Sequence, residues 1–401
     1  VATHVKRAYK YRFYPTDAQA AQLSRTFGCV RKVYNLALAA RTEAWVFRSE
    51  RVNYNATSAM LTAWKKTDEL AYLNDVSSVP LQQCLRHLQA AFASFFARRA
   101  NYPRFKSKKT SRRSAEYTTS GFRFRDGRLK LAKMAEPLDI VWSRPLPEGA
   151  EPSTVTVSQD AAGRWFVSLL VEGSSVKPLP PTKAAVGIDV GLTSLLTLST
   201  GEKVTNPRHE RADRARLALA QRRLARKEKG SSNQAKARRA VAKVHARIAD
   251  RRQDHLHKLT TRLVRENQTL VIEDLAVRNM LKNRALARAI SDASWSAFRS
   301  MLEYKAAWYG RDVVVVDRFF PSSKLCSTCG AVRSNMPLSL REWTCTCDAV
   351  HDRDVNGAKN LLAAGLAVTA CGAGVRLNRR TPDGRSAEKQ ETRRATAGPC
   401  L

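Results

Sequence analysis

Acidic residues are what this sequence has too few of. Its 401 residues carry 35 Asp plus Glu against 70 Lys plus Arg, a formal charge of +35 at pH 7. That surplus is far larger than solubility requires and opposes compaction by self-repulsion, so it points to a polyanionic partner. Long apolar runs are missing too: no stretch approaches the roughly eighteen apolar residues of a membrane span, which excludes a membrane protein. Val1 to Tyr14 alternates basic and aromatic residues and has neither the apolar segment nor the small-residue cleavage site of a secretory signal. The expected compartment is the cytosol, or the nucleus in a host that has one. Aromatics are only 7% of the chain, yet hydrophobic residues reach 43%, enough for buried cores, and the length suits two or more domains. There is no internal repeat.

Cysteine is scarce outside one place. Cys29, Cys84, Cys371 and Cys400 stand alone and receive no role, whereas Cys326, Cys329, Cys345 and Cys347 crowd together as CxxC, a spacer and CxC. In a reducing compartment such a cluster reads as metal ligation, not as disulfides. Two close pairs of thiolates match a structural Zn²⁺ ribbon, whose closed tetrahedral site contributes folding energy instead of catalysis. The single spacer of CxC strains the usual knuckle geometry, and His351 could replace one sulfur.

The pattern of the first half predicts a strand over His4 to Tyr14 with Tyr9, Tyr11 and Phe13 on one face. A capping box at Thr16 and Gln19 then opens a helix buried through Leu23, Phe27, Val30, Tyr34 and Leu38. Further helices are expected over Ser58 to Leu73 and Pro80 to Arg99. Short strands follow at Phe122 to Leu131, Leu138 to Trp142, Thr154 to Ser158 and Trp165 to Val171, which together suggest a small β-barrel with helices inserted between its strands. Between them, Tyr102 to Arg113 reads YPRFKSKKTSRR, aromatics within a dense basic run, the composition of a segment that grips phosphates and stacks on bases. The Pro-rich stretch VKPLPPT, Val176 to Thr182, marks a domain boundary.

Beyond it lie a buried strand ending in a carboxylate, Ala184 to Leu192, a hairpin partner at Leu195 to Leu198, and strands Thr269 to Leu275 and Asp312 to Asp317 around a helix Ser294 to Trp308. Arg211 to Arg252 is helical, broken at Gly230 to Asn233, with fifteen Lys or Arg against three Asp or Glu. A charge run is usually a solvated face, but this one is too one-sided for a salt-bridge-laced surface and fits a hairpin lying on a nucleic acid backbone. The tail from Gly372 to Leu401 has no periodicity and is expected to be disordered.

Three carboxylates sit where strands or a helix would deliver them to one point: Asp189 in GID, Glu273 in VIED and Asp354 in HDRDVNGAKN. The first two follow buried strand residues, where an unpaired charge is costly, and a divalent cation resolves that cost. Hard oxygen ligands suit Mg²⁺ or Mn²⁺, and a pair of such ions can activate water and stabilise the leaving oxygen of a phosphodiester displacement. Asp274, Asp317 and Asp352 are neighbouring acids that could substitute. Period-two alternation favours Glu273 over Asp274, and the helix expected over Asn356 to Leu362 favours Asp354 over Asp352.

The order GIDVGL, VIEDL, VDRFFPSSKLCSTCG, then WTCTCDAVHDRDVNGAKNL resembles the TnpB (OrfB) proteins of bacterial and archaeal insertion sequences, relatives of compact type V CRISPR effectors. YRFYPTDAQAAQLSRTFGCVRKVYNLAL and SVPLQQCLRHLQAAFASFFARRANYPRFKSKK resemble the same family, and the likeness covers roughly residues 4–365. It implies an α/β multidomain protein. Residues 1–180 would form a β-barrel wedge with a helical recognition lobe inserted over about 16–100. Residues 184–365 would form an RNase H-like RuvC nuclease domain carrying the basic hairpin 208–265 and a zinc ribbon 322–350, followed by the disordered basic tail 372–401.

The activity implied is RNA-guided, divalent-metal-dependent DNA cleavage beside a short motif. The partners are a noncoding guide RNA from the element's end and a double-stranded DNA target, in a prokaryotic cytoplasm. On this resemblance Asp189, Glu273 and Asp354 are the catalytic acids that hold two Mg²⁺ or Mn²⁺ ions, and Cys326, Cys329, Cys345 and Cys347 hold one Zn²⁺. Gln82 and Gln83 fall in the region that reads the motif, since an amide can bond adenine bidentately. Arg104, Lys106, Lys108, Lys109, Arg222, Arg223, Lys229, Arg238 and Arg239 are the expected backbone contacts, because a guide–target duplex is held by shape and charge. The rival readings are a nuclease-inactive RNA-guided repressor, which would have lost one or more of the three acids, and a transposase performing strand transfer on the same fold.

Overall fold

The computed structural model describes residues 6–172, 177–337 and 339–370, so the expected tail 372–401 lies outside the described residues. Two units divide the chain, Val1–Pro180 with Arg208–Leu259, and Pro181–Pro207 with Thr260–Leu401, the first break falling inside the Pro-rich stretch.

In the first unit β1 (Arg7–Phe13) leads into α1 (Asp17–Arg48), α2 (Tyr54–Trp64), a 3₁₀ segment (Asp68–Asp75) and α3 (Ser78–Phe96). The sequence pattern expected one α-helix from Ser58 to Leu73. The chain instead ends α2 at Trp64 and re-enters as a 3₁₀ segment that buries Leu70 and Leu73. Strands β2 (Arg113–Thr118), β3 (Phe122–Arg125), β4 (Arg128–Leu131), β5 (Ile140–Val141), β6 (Pro152–Gln159) and β7 (Trp165–Val171) follow. Five strands form an antiparallel sheet in the order β2-β6-β7-β1-β5, and β3 and β4 form a separate ribbon. Among the described strands β2 and β5 stand at opposite edges of this sheet.

The alternation in β1 does what its period dictates: Tyr9, Tyr11 and Phe13 are buried, and with Leu23, Val33, Leu85 and Leu169 they share one core. Each large side chain withdrawn from water in this way contributes about 1.5–3 kcal/mol. The capping box is formed, Gln19 N–H donating to Thr16 Oγ1 at 3.2 Å and Thr16 N–H to Gln19 Oε1 at 3.1 Å. Helices α4 (His209–Ala225) and α5 (Ser232–Glu266) make the basic hairpin, and its residues Arg208–Leu259 group with the first unit, where the sequence division placed them with the C-terminal domain. One contact within this unit is made by Arg164, beside β7, which pairs with Asp160 and with Asp250 of α5.

The second unit holds β8 (Ala185–Val190), β9 (Ser194–Leu198), β10 (Lys203–Thr205), β11 (Thr269–Glu273), α6 (Val277–Met280), α7 (Ala287–Ala293), α8 (Trp295–Tyr309), β12 (Asp312–Val316), β13 (Glu342–Thr344), β14 (Val350–Asp352) and α9 (Arg353–Ala370). Its five-stranded sheet runs β10-β9-β8-β11-β12, with β8, β9 and β10 antiparallel and β11 parallel to both β8 and β12. The near-continuous apolar runs in β8 and β11 suit parallel strands covered on both faces.

Helix α9 lies directly on this sheet. A Cβ built at Gly187 would stand 2.0 Å from the Ala358 carbonyl oxygen, and one at Gly365 2.5 Å from Val271 Cγ2, so only glycine permits the approach at either point. No helix among the described residues is long and apolar enough to cross a membrane.

Candidate acidic site, cysteine cluster and basic surface

Register brings the first two acids together. Ile188 of β8 pairs with Ile272 of β11 in parallel, so Asp189 and Glu273 are the next residues on adjacent strands. Asp354 arrives from the first turn of α9. Gly357 of the same helix faces Asp189, a Cβ there standing 3.9 Å from the Asp189 carboxylate. All three acids are half-buried. Burial, then the charges of Asp354 and Glu273, push the Asp189 carboxyl up to about 7, against the pull of Arg353 and of the Val190 N–H. Burial likewise raises Glu273, with Asp274 adding to it. Arg341 Nη1 stands 3.6 Å from Asp354 Oδ1. A cavity of about 350 Å³ opens beside Glu273, between Val190, Ile272, Trp295 and Arg299.

The neighbouring acids are engaged elsewhere. Asp274 accepts from Arg299 at 2.8 Å and from Arg318, and these bonds, outweighing burial, hold it below the usual carboxylate range. Asp317 Oδ1 accepts the Phe319 N–H at 2.8 Å within its own turn. Asp352 caps α9, its Oδ1 accepting from Asp354 and Val355 N–H at 3.1 and 2.9 Å, while Oδ2 takes Lys203 Nζ at 2.5 Å. Burial opposes its ionisation, but Lys203 and the two N–H donors outweigh it and lower its pKa. Asp189 thus feels the charges of Glu273 and Asp354, while Asp274, Asp317 and Asp352 are held by other partners.

The four cysteines converge more closely. Their sulfurs all lie within 4.8 Å of one another, with Cys326–Cys347 at 3.8 Å and Cys329–Cys345 at 3.6 Å. Among the described residues this is the one group of three or more potential ligands meeting that limit, and the acidic oxygens do not. Backbone N–H groups of Thr328 and Cys329 point at the Cys326 sulfur, and that of Cys347 at Cys345, which it lowers to about 6. Such donors favour the thiolate, the form that ligates metal. The CxC spacing therefore closes the set of four despite its short spacer. His351 lies outside the set: its Nε2 contacts the Cys326 sulfur at 3.0 Å, and its ring packs on Trp343 at 4.8 Å. That is the place of a residue that orients a ligand.

Of the expected nucleic-acid contacts, Arg104, Lys108, Lys109, Arg222, Arg223, Lys229, Arg238 and Arg239 are exposed on the first unit. Lys106 departs from the expectation. Its ammonium sits 3.9 Å over the Tyr34 ring, its backbone exchanges two hydrogen bonds with the Asn35 side chain, and burial lowers its pKa, so it anchors the segment from within. Gln82 is exposed on α3, but Gln83 is only 8% exposed, because it lies beside Cys84 and Leu85 on the core face of the helix.

A groove of about 630 Å³ between α4 and α5 is lined by Arg216, Arg223, Arg226, Lys227 and Lys236. Sequence reasoning missed the buried Asp213 beneath it, ion-paired to Arg216, Arg247 and Arg251 at 3.2–3.7 Å. It also missed the roles of Asn356 and Asn360, although their separation by one helical turn just after Asp354 was a readable signal.

An α/β fold with paired strand-end acids and a four-cysteine module defines the class, and comparison with known proteins supplies the family. The OrfB_IS605 profile (Probable transposase) matches residues 167–284, the Cas12f1-like TNB domain 295–361, and the HTH_OrfB_IS605 helix-turn-helix domain 3–48. A candidate RNA-guided DNA endonuclease of Streptomyces pristinaespiralis is 71% identical over 98% of both chains. InsQ of Escherichia coli K12, a candidate RNA-guided DNA endonuclease, is 34% identical over 93% of this chain and 96% of its own. The cryo-EM structure of a Cas12f1-sgRNA-target DNA complex aligns with a TM-score of 0.56 at 12% identity, covering 89% of this chain and 98% of that one, a likeness of fold. The chain belongs to the TnpB (OrfB) family.

Proposed function

We propose that this protein is an RNA-guided, divalent-metal-dependent DNA endonuclease of an insertion sequence. The observation that carries the reading is the placement of Asp189 and Glu273 next to each other on adjacent parallel strands, with Asp354 near enough that its charge and that of Glu273 add to burial in raising Asp189 to about 7. Charges so arranged cost free energy unless a cation accompanies them. The 3-2-1-4-5 strand order of the second unit supports an RNase H-like, RuvC-type nuclease domain. The first sheet, with three helices between β1 and β2, supports the β-barrel wedge and helical lobe. The names of the relatives and the fold of the Cas12f1 complex agree with this reading.

The donor set fits the expected ions: oxygen ligands for two Mg²⁺ or Mn²⁺ at the acids, and four sulfurs for one Zn²⁺ at the cysteines. Divalent ions held there supply charge neutralisation and an activated water for in-line phosphodiester hydrolysis. The chain itself aligns the carboxylates through β8, β11 and α9. Asp274 holds Arg299 and Arg318 beside them, and the exposed arginines and lysines of the first unit grip sugar–phosphate backbones of the guide RNA and its DNA target.

The test is to purify the protein from cells carrying the gene's own flank, sequence the RNA it retains, and assay Mg²⁺-dependent cleavage of matching DNA. Asp189→Ala abolishes cutting and leaves RNA and DNA binding near the parental level. Retained cleavage removes Asp189 from the site, and products with joined ends make the reaction strand transfer.

A further inference from the structure

The cysteine module and the acid Asp354 meet on one helix. Asn356 and Asn360 of α9 are 1% and 3% exposed. Asn356 commits both ends of its amide to the loop carrying the first cysteine pair: Oδ1 accepts the Ser327 N–H at 2.9 Å, and Nδ2 donates to the Leu325 carbonyl at 2.7 Å. Asn360, one turn along the same face, donates to the Leu325 and Ser322 carbonyls at 2.6 and 2.8 Å. Leu325 and Ser327 are the residues on either side of Cys326. From the other direction β14 runs directly into α9, bringing His351 against the Cys326 sulfur and Asp352 onto the helix N-terminus. The turn that bears Asp354 is therefore held from two sides by the module that holds the sulfurs.

We infer that Asn356 is a positioning residue that couples zinc occupancy of the cysteine cluster to divalent-cation binding by Asp189, Glu273 and Asp354. The inference rests on the acidic-site reading above. A metal drawing four sulfurs together fixes the Cys326 loop, and that loop presents the one N–H and the one C=O that the buried Asn356 amide requires. When the loop loosens, the amide loses both partners at once, a costly state that is relieved by movement of the first turn of α9, and with it Asp354. Coupling of this kind is reciprocal: cations at the acids strengthen zinc retention by the same factor.

The experiment measures Mn²⁺ affinity of the RNA-free full-length protein by electron paramagnetic resonance, with zinc content determined in parallel. Wild type is compared with zinc-stripped and reloaded wild type, Asn356→Ala, and Asp189→Ala as reference. Wild type shows a Mn²⁺ site that Asp189→Ala removes. Stripping zinc weakens that site on the order of tenfold, within the range typical of coupled sites, and reloading restores it. Asn356→Ala weakens it similarly while keeping its zinc, and stripping zinc from this variant then changes Mn²⁺ affinity less than twofold.

Unchanged Mn²⁺ affinity after zinc removal, or in Asn356→Ala at full zinc content, overturns the coupling. Should circular dichroism show that Asn356→Ala does not fold, Asn360→Ala takes its place under the same criterion. A Mn²⁺ site that survives Asp189→Ala overturns the acidic-site reading itself, and the coupling with it.

Discussion

The cysteine cluster and the acidic trio are two ligand sets of opposite construction. The cysteines come from a short stretch, 326–347, fixed by local turns; backbone N–H groups favour the thiolates of Cys326 and Cys345, while against the pull of the Ala331 N–H the neighbouring sulfurs push Cys329 up to about 12. Their sulfurs already converge within 4.8 Å. The acids come from residues 189, 273 and 354, delivered by two strands and a helix, where burial first and then the charges of Asp354 and Glu273 push Asp189 up to about 7. A local set assembles its own geometry, while a set of like charges gathered from distant segments depends on the sheet and on α9 to hold it near closure.

The sharpest way to break this comparison is to exchange adjacent acids. Glu273→Gln is expected to lower cleavage on the order of 10³-fold or more, about 4 kcal/mol of transition-state stabilisation. Asp274→Asn, which loses contacts to Arg299 and Arg318, should cost less than about tenfold, the lower end of what orienting partners contribute. Equal losses in single-turnover cleavage would dissolve the distinction drawn between the two residues.

Next in size is Gly187→Ala. The added methyl meets the Ala358 carbonyl, and forcing α9 off the sheet should cost about 3 kcal/mol, read as a lowered unfolding temperature. Cleavage falls with it, and zinc retention falls by a smaller factor, since the sulfurs are set by their own turns and lose only the Asn356 and Asn360 contacts of α9 to the Cys326 loop. Complete loss of zinc in this variant would mean that the cysteines cannot assemble without α9 in place. The smallest effect is at His351, where His351→Ala should weaken zinc retention about tenfold in a chelator competition, the contribution of a residue that orients a ligand. A full loss of zinc would make His351 a ligand in its own right.

Much of this was readable from the chain. The faces of β1 and α1 follow from periodicity, because burial on one face leaves a repeating mark, and the break in the basic hairpin follows from the turn residues at Gly230 to Asn233. The edge strands β2 and β10 were harder to read: β10 has only three residues, and β2, which buries Ala115 and Tyr117 in alternation, pairs with β6 far along the sequence. Lys106 and Gln83 show the limit on surface assignments: composition marks a basic or amide-rich segment but not which member turns inward onto Tyr34 or into the core. The engagement of Asp274, Asp317 and Asp352 was likewise invisible, because each depends on a local turn or on an arginine or lysine brought close by the fold.

The buried Asp213, beneath Arg216, Arg247 and Arg251, has a bearing on how the molecule is made. Two cationic helices brought side by side repel, and a protein that relied on its nucleic acid to quench that repulsion would be unable to mature ahead of it. With an internal counter-anion the arms of the hairpin can close on their own. The remaining outward cations are then left for the polymer that arrives afterwards.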